Sequence, residues 1–514
     1  MASRVRNAVV PAAHLGSAVM RSGEPTPPIA IAAPANQVRS HIESKRVLLD
    51  SGLLGRLNEV CAEVLVDNAT VSEASRDWWP LAMIWALNGE VGVLASAVVR
   101  PANAREVCAV LAICNEARIP VTPAAGRSGV TGASVPLHGG VVLDLTAMSG
   151  ITNVDAESLI LDVLPGTFGT WLEDELRAKH GTTLGHWPQS IDLSTVGGWI
   201  ACRGAGQMST RYGKIEDMVV GLDITLADGT TISTGGSPRA AVGPDLTQIF
   251  VGSEGTLGVI TGARLRLHPA PASERRAAYA FPSFAAGNDA CRKIVQRGAT
   301  PAVLRLYDAT ESDRSFKTGP DRNVLLVMDE GDPLIIDATA ALVTDVCTDA
   351  EQLDVELVEQ WMGHRNDVSA LESLIRRDFV VDTMEISAPW SRCVQIYNTA
   401  SAAIRDVAGT LVVSAHQSHS YTDGACLYFT FAAQPGSDSE SKSTYYEAAW
   451  DAGTRAVLAN GGSLSHHHGV GLNRSRFVHE ALGGGMEVFS GIKQVLDPNG
   501  ILNPGKFGLP DPWA

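Results

Sequence analysis

The chain lacks any C-x-x-C pair. Its eight cysteines, Cys61, Cys108, Cys114, Cys202, Cys291, Cys347, Cys393 and Cys426, are scattered, which speaks against a zinc framework or a disulfide scaffold and for reduced thiols in a cytoplasmic enzyme. No metal is assigned on this basis. Missing too is an apolar run of about 18 residues, the least that spans a bilayer. There is no excess of positive charge: 40 Lys and Arg stand against 56 Asp and Glu, a net charge of −16. A nucleic-acid partner, which needs a basic face, is therefore not expected, and an anionic ligand has to meet locally placed Arg, Lys or His. Arg4 and Arg6 are followed by no apolar stretch of the kind a secretory signal needs. Internal repeats are absent, as is the strand, G-x-G-x-x-G, helix fingerprint of a doubly wound dinucleotide fold.

What the chain does have is glycine in clusters. Two stretches, AAGRSGVTGAS (124–134) and PQSIDLSTVGGWIACRGAGQMSTRYGKIED (188–217), are crowded with Gly, Ser and Thr and lie between strand-like apolar runs. Without a Cβ the backbone can approach a ligand closely, and successive free N–H groups in such turns form nests for anions such as pyrophosphate. Gly126, Gly129 and Gly132 are spaced G-x-x-G-x-x-G and lead to a strand at 141–145 rather than to a helix. A third cluster occupies 245–261. Together they point to a large phosphorylated cofactor gripped along its length, although one such loop alone is more often a plain turn.

With 514 residues, 45% of them apolar and 19% charged, the chain has room for two or three domains of ordinary globular composition. Residues 1–45 are expected to be a disordered tail, Pro- and Ala-rich over 22–37. A cofactor domain follows over 46–270, a cap or substrate domain over 271–464, and a closing segment over 465–514. Leu and Val spacing suggests a helix at 48–65, and the SEASRDWWPLAMIW stretch after it looks exposed. Asn103 and Glu106 form a capping box for a helix with Val107, Val110, Leu111 and Cys114 inward. Asp228-Gly229 marks a hairpin. Residues 273–460 mix helices (283–296, 334–350, 400–407) with strands (324–328, 409–415, 425–431), a polar loop at 434–443 and a helix at 444–460, so the fold class is α+β.

From Val93 to Lys506 the motifs resemble flavoproteins of the vanillyl-alcohol oxidase type, and among them the alkyldihydroxyacetonephosphate synthases. The resemblance rests on PAAGRSGVTGAS, STVGGW within the second stretch, and GSEGTLGVIT at 252–261. It implies a two-part FAD-binding domain with an α+β cap over the flavin. The positions it places around FAD are Pro123, Ala125, Gly126, Arg127, Ser128, Gly129, Gly132, Ala133 and Ser134. From the second stretch come Pro188, Gln189, Ser190, Asp192, Ser194, Thr195, Gly197, Gly198, Arg203, Gly204, Gly206, Ser209 and Tyr212. The third supplies Glu254, Gly255, Gly258, Val259 and Ile260. The first loop has neither His nor Cys, so FAD is expected to be non-covalent.

FAD-dependent 2-hydroxy-acid dehydrogenases of the same general family carry G-H-x-G-D-G-N-x-H and E-H-G-[IV]-G. The corresponding segments are 415–428 and 466–471, where Ala425, Leu427 and His467 replace the Asn, the last His and the Glu. These departures favour the synthase type, whose hallmark is a triple histidine, here His466, His467 and His468. The resemblance further implies active-site roles for Tyr428, Arg305 and Arg377. The implied reaction exchanges the acyl chain of acyl-dihydroxyacetone phosphate for a fatty alcohol, by covalent catalysis without net redox change. Peripheral contact with a membrane and a homodimer are compatible with it. An FAD-linked oxidase or dehydrogenase of a 2-hydroxy acid or alcohol is the alternative.

The residues themselves set conditions. Tyr428 as an acid/base needs its pKa, ordinarily about 10, lowered by cations. Arg305 and Arg377 can each hold phosphate or carboxylate oxygens in bidentate fashion. Proton transfer, metal binding and an accidental surface run are equally expected readings of three consecutive histidines. If extended, it puts His466 and His468 on one face and His467 on the other, unless a turn intervenes.

Overall fold

The computed structural model describes residues 27–368 and 370–513. Three sheets carry the architecture. In the first, Ala97–Arg100, Val141–Asp144 and Val121–Ala124 run parallel, with Glu63–Leu65 antiparallel on one edge. The helix Ala104–Ala117 feeds this sheet. Asn103 caps it by accepting from the Glu106 N–H, and Val107, Val110, Leu111 and Cys114 are its buried face. The second sheet is antiparallel, in the order Thr231–Ser233, Val219–Thr225, Val259–Arg266, Ile160–Val163, Ile151–Asp155.

The third sheet is the cap. Its seven antiparallel strands run in the order Glu351–Leu353, Ser273–Phe281, Asn323–Gly331, Val303–Tyr307, Thr410–Ser420, Gly424–Ala433, Val380–Pro389. Helices Phe284–Gln296, Trp390–Arg405 and Ser439–Ala459 pack their apolar sides into its core. The last fifty residues do not form a separate unit. Ile501 and Leu502 lie in the core of the first sheet, where Val121 exchanges backbone hydrogen bonds with Ile501 and Asn503.

Several sequence expectations change. The WWPLAMIW stretch is interior: Pro80–Ala86 is a wholly buried helix, and Trp79 donates through Nε1 to Tyr446 Oη at 2.8 Å. Eight apolar or aromatic side chains in a row are driven inward when a cap helix offers a partner face. Of the tail expected to be disordered, residues 1–26 lie outside the described residues. From Pro27 on the chain is packed: Ile29 is fully buried, its carbonyl accepts from Arg76 Nη1 at 2.6 Å, and Arg39–Ser40 pairs with Glu90–Val91. The helix expected over 48–65 is only Ser51–Val60, because Glu63–Leu65 is claimed by the first sheet. The helix expected at 400–407 starts ten residues earlier, and Asp438 caps a helix inside the expected polar loop. Among the described residues no helix is long and apolar enough to cross a membrane.

Candidate active site

The glycine loops converge. A Cβ on Gly126 would collide with the Leu193 carbonyl, so the first two loops are in backbone contact. Asn503 Nδ2 donates to Glu254 O (2.7 Å) and Ala133 O (3.1 Å), tying the third loop to the first. Between loops and cap lies a cavity of about 850 Å³, within the usual range for ligand sites. Most of the positions assigned to FAD line it: Pro123, Ala125, Gly126, Arg127, Ser128, Gly129, Ala133, Ser134, Pro188, Gln189, Ser190, Ser194, Thr195, Gly197, Gly198, Gly204, Glu254, Gly255, Gly258, Val259 and Ile260.

Six others do not line it. Gly132 takes φ +80°, and a Cβ there would meet the Trp79 ring at 2.8 Å. Asp192 accepts from Thr170 Oγ1, and Arg203 ends the helix Val196–Cys202 in a left-handed conformation. Gly206 gives the backbone room, since a Cβ would lie 2.5 Å from Trp187 N. Ser209 Oγ faces His419, and Tyr212 Oη donates to Glu330 at 2.7 Å. These residues shape the loops from behind.

The cavity fits a flavin nucleotide by the chemistry of its wall. Buried Thr195 Oγ1, Ser418 Oγ and His468 Nδ1 have no hydrogen-bond partner in the protein, although all three residues line the cavity. At Gly198 a Cβ would find nothing nearer than Thr195 Oγ1 at 3.4 Å. Polar groups buried without partners are costly, and a polar cofactor would satisfy them.

The cap supplies the opposite wall through one cross-strand row. Tyr307 pairs with His416, His416 with Tyr428, and Tyr428 with Glu385. Residues directly opposite on neighbouring strands share a face, so this row delivers four functional side chains to one side. The His416 and Tyr428 rings stack at 4.8 Å. Arg305, two residues before Tyr307, donates through Nε to Tyr307 Oη (2.7 Å) and through Nη2 to His416 Nε2 (2.6 Å). His416 then presents Nδ1–H to Glu311 Oε1 at 3.0 Å. Burial, helped by the Arg305 charge, lowers the His416 pKa to about 4.

The histidine run is a turn rather than a strand, which lifts the parity limit. Glu385 holds it: Oε1 accepts from the His467 and His468 N–H groups and from Ser465 Oγ, and Oε2 accepts from Arg474 Nη2 at 2.7 Å. Burial would raise the Glu385 pKa, but the Arg474 guanidinium holds it well below the carboxylate range. His467 lies 6.0 Å from the Tyr428 ring and His468 stands edge-on to it at 5.6 Å. Both line the cavity; His466 packs behind, stacked on His419 at 4.9 Å. Burial lowers the pKa of His468 to about 4 and those of His466 and His467 well below 6.5, so all three are neutral bases. A second carboxylate, Glu254, accepts from the Val470 and Gly471 N–H groups and fixes the far end of the turn.

Two expectations are corrected. Tyr428 is not acidified; burial pushes its phenol up, and the nearby Arg305 charge does not offset this. Arg377 is outside the site: it is exposed, donates to Ser373 O at 3.1 Å and lies over Phe379. The guanidiniums that do line the cavity, besides Arg305 and Arg127, are Arg314 and Arg365. Sequence reading missed these two, along with Glu311, His416, His419 and Glu385. A usable signal was present, since Arg305 and Tyr307, or Tyr428 and Thr430, are i, i+2 pairs that share a strand face.

Residues 95–235 match the model of an FAD binding domain, and residues 270–507 match that of the C-terminal domain of FAD linked oxidases. An uncharacterized FAD-linked oxidoreductase (YgcU) of Escherichia coli (strain K12) is 33% identical over 429 residues, 80% of this chain and 88% of the relative. An alkyldihydroxyacetonephosphate synthase of Dictyostelium discoideum is 29% identical, over 82% of this chain and 74% of its own. The glycolate oxidase subunit GlcD of Bacillus subtilis (strain 168) is 28% identical, over 81% and 90%. A solved alkyldihydroxyacetonephosphate synthase structure shares the fold, with a TM-score of 0.77, 24% identity, and coverage of 93% of this chain and 89% of that one. With its glycine loops, its cap and the wall between them, the chain belongs to the FAD-linked oxidases of the vanillyl-alcohol oxidase fold, and FAD is its cofactor.

Proposed function

We propose that this flavoenzyme exchanges the acyl chain of acyl-dihydroxyacetone phosphate for a fatty alcohol, an ether-forming transfer without net oxidation. The observation that carries the reading is the position of the Tyr428 phenol between the imidazoles of His416 and His467, with His468 edge-on, in the wall of the FAD cavity. FAD, when bound, supplies the electron sink through which the C1–oxygen bond is exchanged.

The protein's part is binding and proton transfer. Arg305 is held by Tyr307 and His416 and keeps its Nη1 edge free of both bonds; with Arg314 and Arg365 it can bind the phosphate. The raised pKa of Tyr428 keeps the phenol protonated, so it donates to the oxygen of the departing carboxylate. His467 and His468 are neutral and can take the proton of the incoming alcohol or of C1. The departing fatty acid balances that proton.

A second reading has its own support. Arg305 and the neutral His467 both line the cavity, a carboxylate anchor and a base, which suits oxidation of a 2-hydroxy acid. The test is anaerobic incubation with acyl-dihydroxyacetone phosphate and radiolabelled fatty alcohol. Labelled ether without an electron acceptor supports the transfer. Flavin bleaching by a hydroxy acid, reversed by a dye, with no ether formed, overturns it.

A further inference from the structure

The helix Ala309–Phe316 stands against the cap wall and turns one carboxylate into it. Glu311 is 6% exposed and lines the cavity beside Arg305 and Arg314. A negative charge there repels the anion that these arginines attract, so it serves another end than direct contact. Its oxygens are already engaged. Oε1 accepts from His416 Nδ1 at 3.0 Å and lies 3.4 Å from Arg314 Nη2, and Oε2 accepts from Ser414 Oγ at 3.2 Å. Burial opposes its ionisation, but the His416 N–H and the Arg314 and Arg305 guanidiniums hold its pKa well below the carboxylate range. The helix is fastened to the same strand as His416, since Asp308 accepts from the Glu311 N–H at 2.8 Å and from the Ala415 N–H at 2.7 Å.

His416 sits between two groups that leave it one protonation pattern. A carboxylate only accepts and a guanidinium only donates. The proton is therefore on Nδ1, facing Glu311, and the lone pair is on Nε2, facing Arg305 Nη2 at 2.6 Å. The other tautomer would set N–H against N–H and turn a lone pair toward the carboxylate. With both nitrogens engaged, His416 takes no proton from a substrate. Arg305 is thereby clamped on two sides, Nη2 by His416 and Nε by Tyr307 Oη at 2.7 Å, with Cζ over the Trp361 ring at 5.7 Å.

We propose that Glu311 is a positioning residue for the substrate's anion, acting through His416 on the Arg305 guanidinium. Like the acidic member of a Ser-His-Asp triad, it selects the tautomer and orientation of an imidazole; here the imidazole aims a cation rather than a nucleophile. Arg305 meets the substrate already fixed, so less side-chain freedom is lost on binding. That role rests on Arg305 as the anion's anchor, which ether-forming transfer and hydroxy-acid oxidation share.

The test is equilibrium dialysis of the flavin-loaded protein with labelled dihydroxyacetone phosphate, and with labelled lactate if the phosphate does not bind. Glu311→Leu should weaken binding by about tenfold or more, the range for a lost hydrogen bond to a charged group. Glu311→Gln, whose amide oxygen still accepts from Nδ1–H, should stay within about threefold of wild type. In the Arg305→Ala background Glu311→Leu should add nothing, a result that general loosening of the cap would not give. Binding by Glu311→Leu within about threefold of wild type, or a loss that adds fully to that of Arg305→Ala, overturns the positioning role alone. Arg305→Ala binding as tightly as wild type, or a wild type that binds neither ligand, overturns the anchor and the positioning role with it. Imidazole ¹⁵N shifts, with His416 identified by its loss in His416→Gln, cover the case in which Glu311→Leu does not fold. A proton on Nδ1 is expected in wild type; a proton on Nε2 overturns the role.

Discussion

Arg474 and Glu385 meet at 2.7 Å with no solvent exposure on either side chain. One belongs to the segment after the histidine turn and the other to an edge strand of the cap, so the pair locks the two halves of the site together. Removing one partner strands a buried charge. Glu385→Gln should cost about 3–5 kcal/mol, read as a clear fall in melting temperature of the flavin-bound protein. The double variant Glu385→Gln/Arg474→Met should recover part of the loss, which a double-mutant cycle reveals.

Tyr428→Phe should lower ether formation by roughly 10²- to 10⁴-fold, the range for a lost acid/base group, and leave the flavin spectrum intact. Activity within threefold of wild type would remove the phenol from the chemistry.

The two arginines suggested by sequence should now part company. Arg305→Ala should raise KM for the phosphorylated substrate strongly, and Arg305→Lys should restore little, because Nε and Nη2 are both engaged. Arg377→Ala should leave both kcat and KM within twofold. Steady-state kinetics on the three variants checks this.

Acid should destabilise the protein. His416 and His468 have pKa values of about 4, and those of His419, His466 and His467 are also lowered by burial. Between pH 6.5 and 4 unfolding therefore takes up protons, so this stability is full above pH 6.5 and is lost as the pH falls. Among the described residues six buried carboxyls work in the opposite sense, since burial raises them and they hold their protons in the folded chain: Glu254 at about 7, Asp77 and Asp382 at about 6, and Glu173, Asp308 and Asp329. Seven lowered imidazoles stand against them, with His186 and His268 added to the five. Denaturant midpoints across this window should fall on acidification, and His416→Gln should flatten the profile.

Two glycines separate fold from cofactor. Gly126→Ala drives a Cβ into the Leu193 carbonyl, so it should lower stability even without FAD. Gly198→Ala meets no protein atom nearer than 3.4 Å; it should keep apo-protein stability but weaken FAD binding at least tenfold. Flavin-to-protein absorbance ratios and apo melting curves distinguish the two effects.

Local features were readable in the sequence. The Asn103 cap, the buried face after it, the Asp228-Gly229 turn and the three glycine loops each depend on neighbours a few residues apart. Most of the loop positions assigned to FAD indeed line one cavity, because close backbone approach demands glycine wherever it occurs. The partners of the site were not readable. Glu385 meets Tyr428 only through strand register, and Glu311 reaches His416 across 105 residues. Arg377 misled because nothing local distinguishes an arginine in an exposed turn from one in a wall. The WWPLAMIW stretch was misjudged because its covering helix arrives 361 residues after it begins, at Ser439.

The Thr410–Ser420 strand shifts register between Gln417 and His419. In an unbroken strand, residues three apart would face opposite ways; this one irregularity lets His416 stack on the phenol while His419 reaches Cys426 and His466. Cutting out Ser418 would restore alternation between His416 and His419 and turn one of the two rings toward the cap helices. The enzyme's inner wall thus hangs on a single residue of slack in its longest strand.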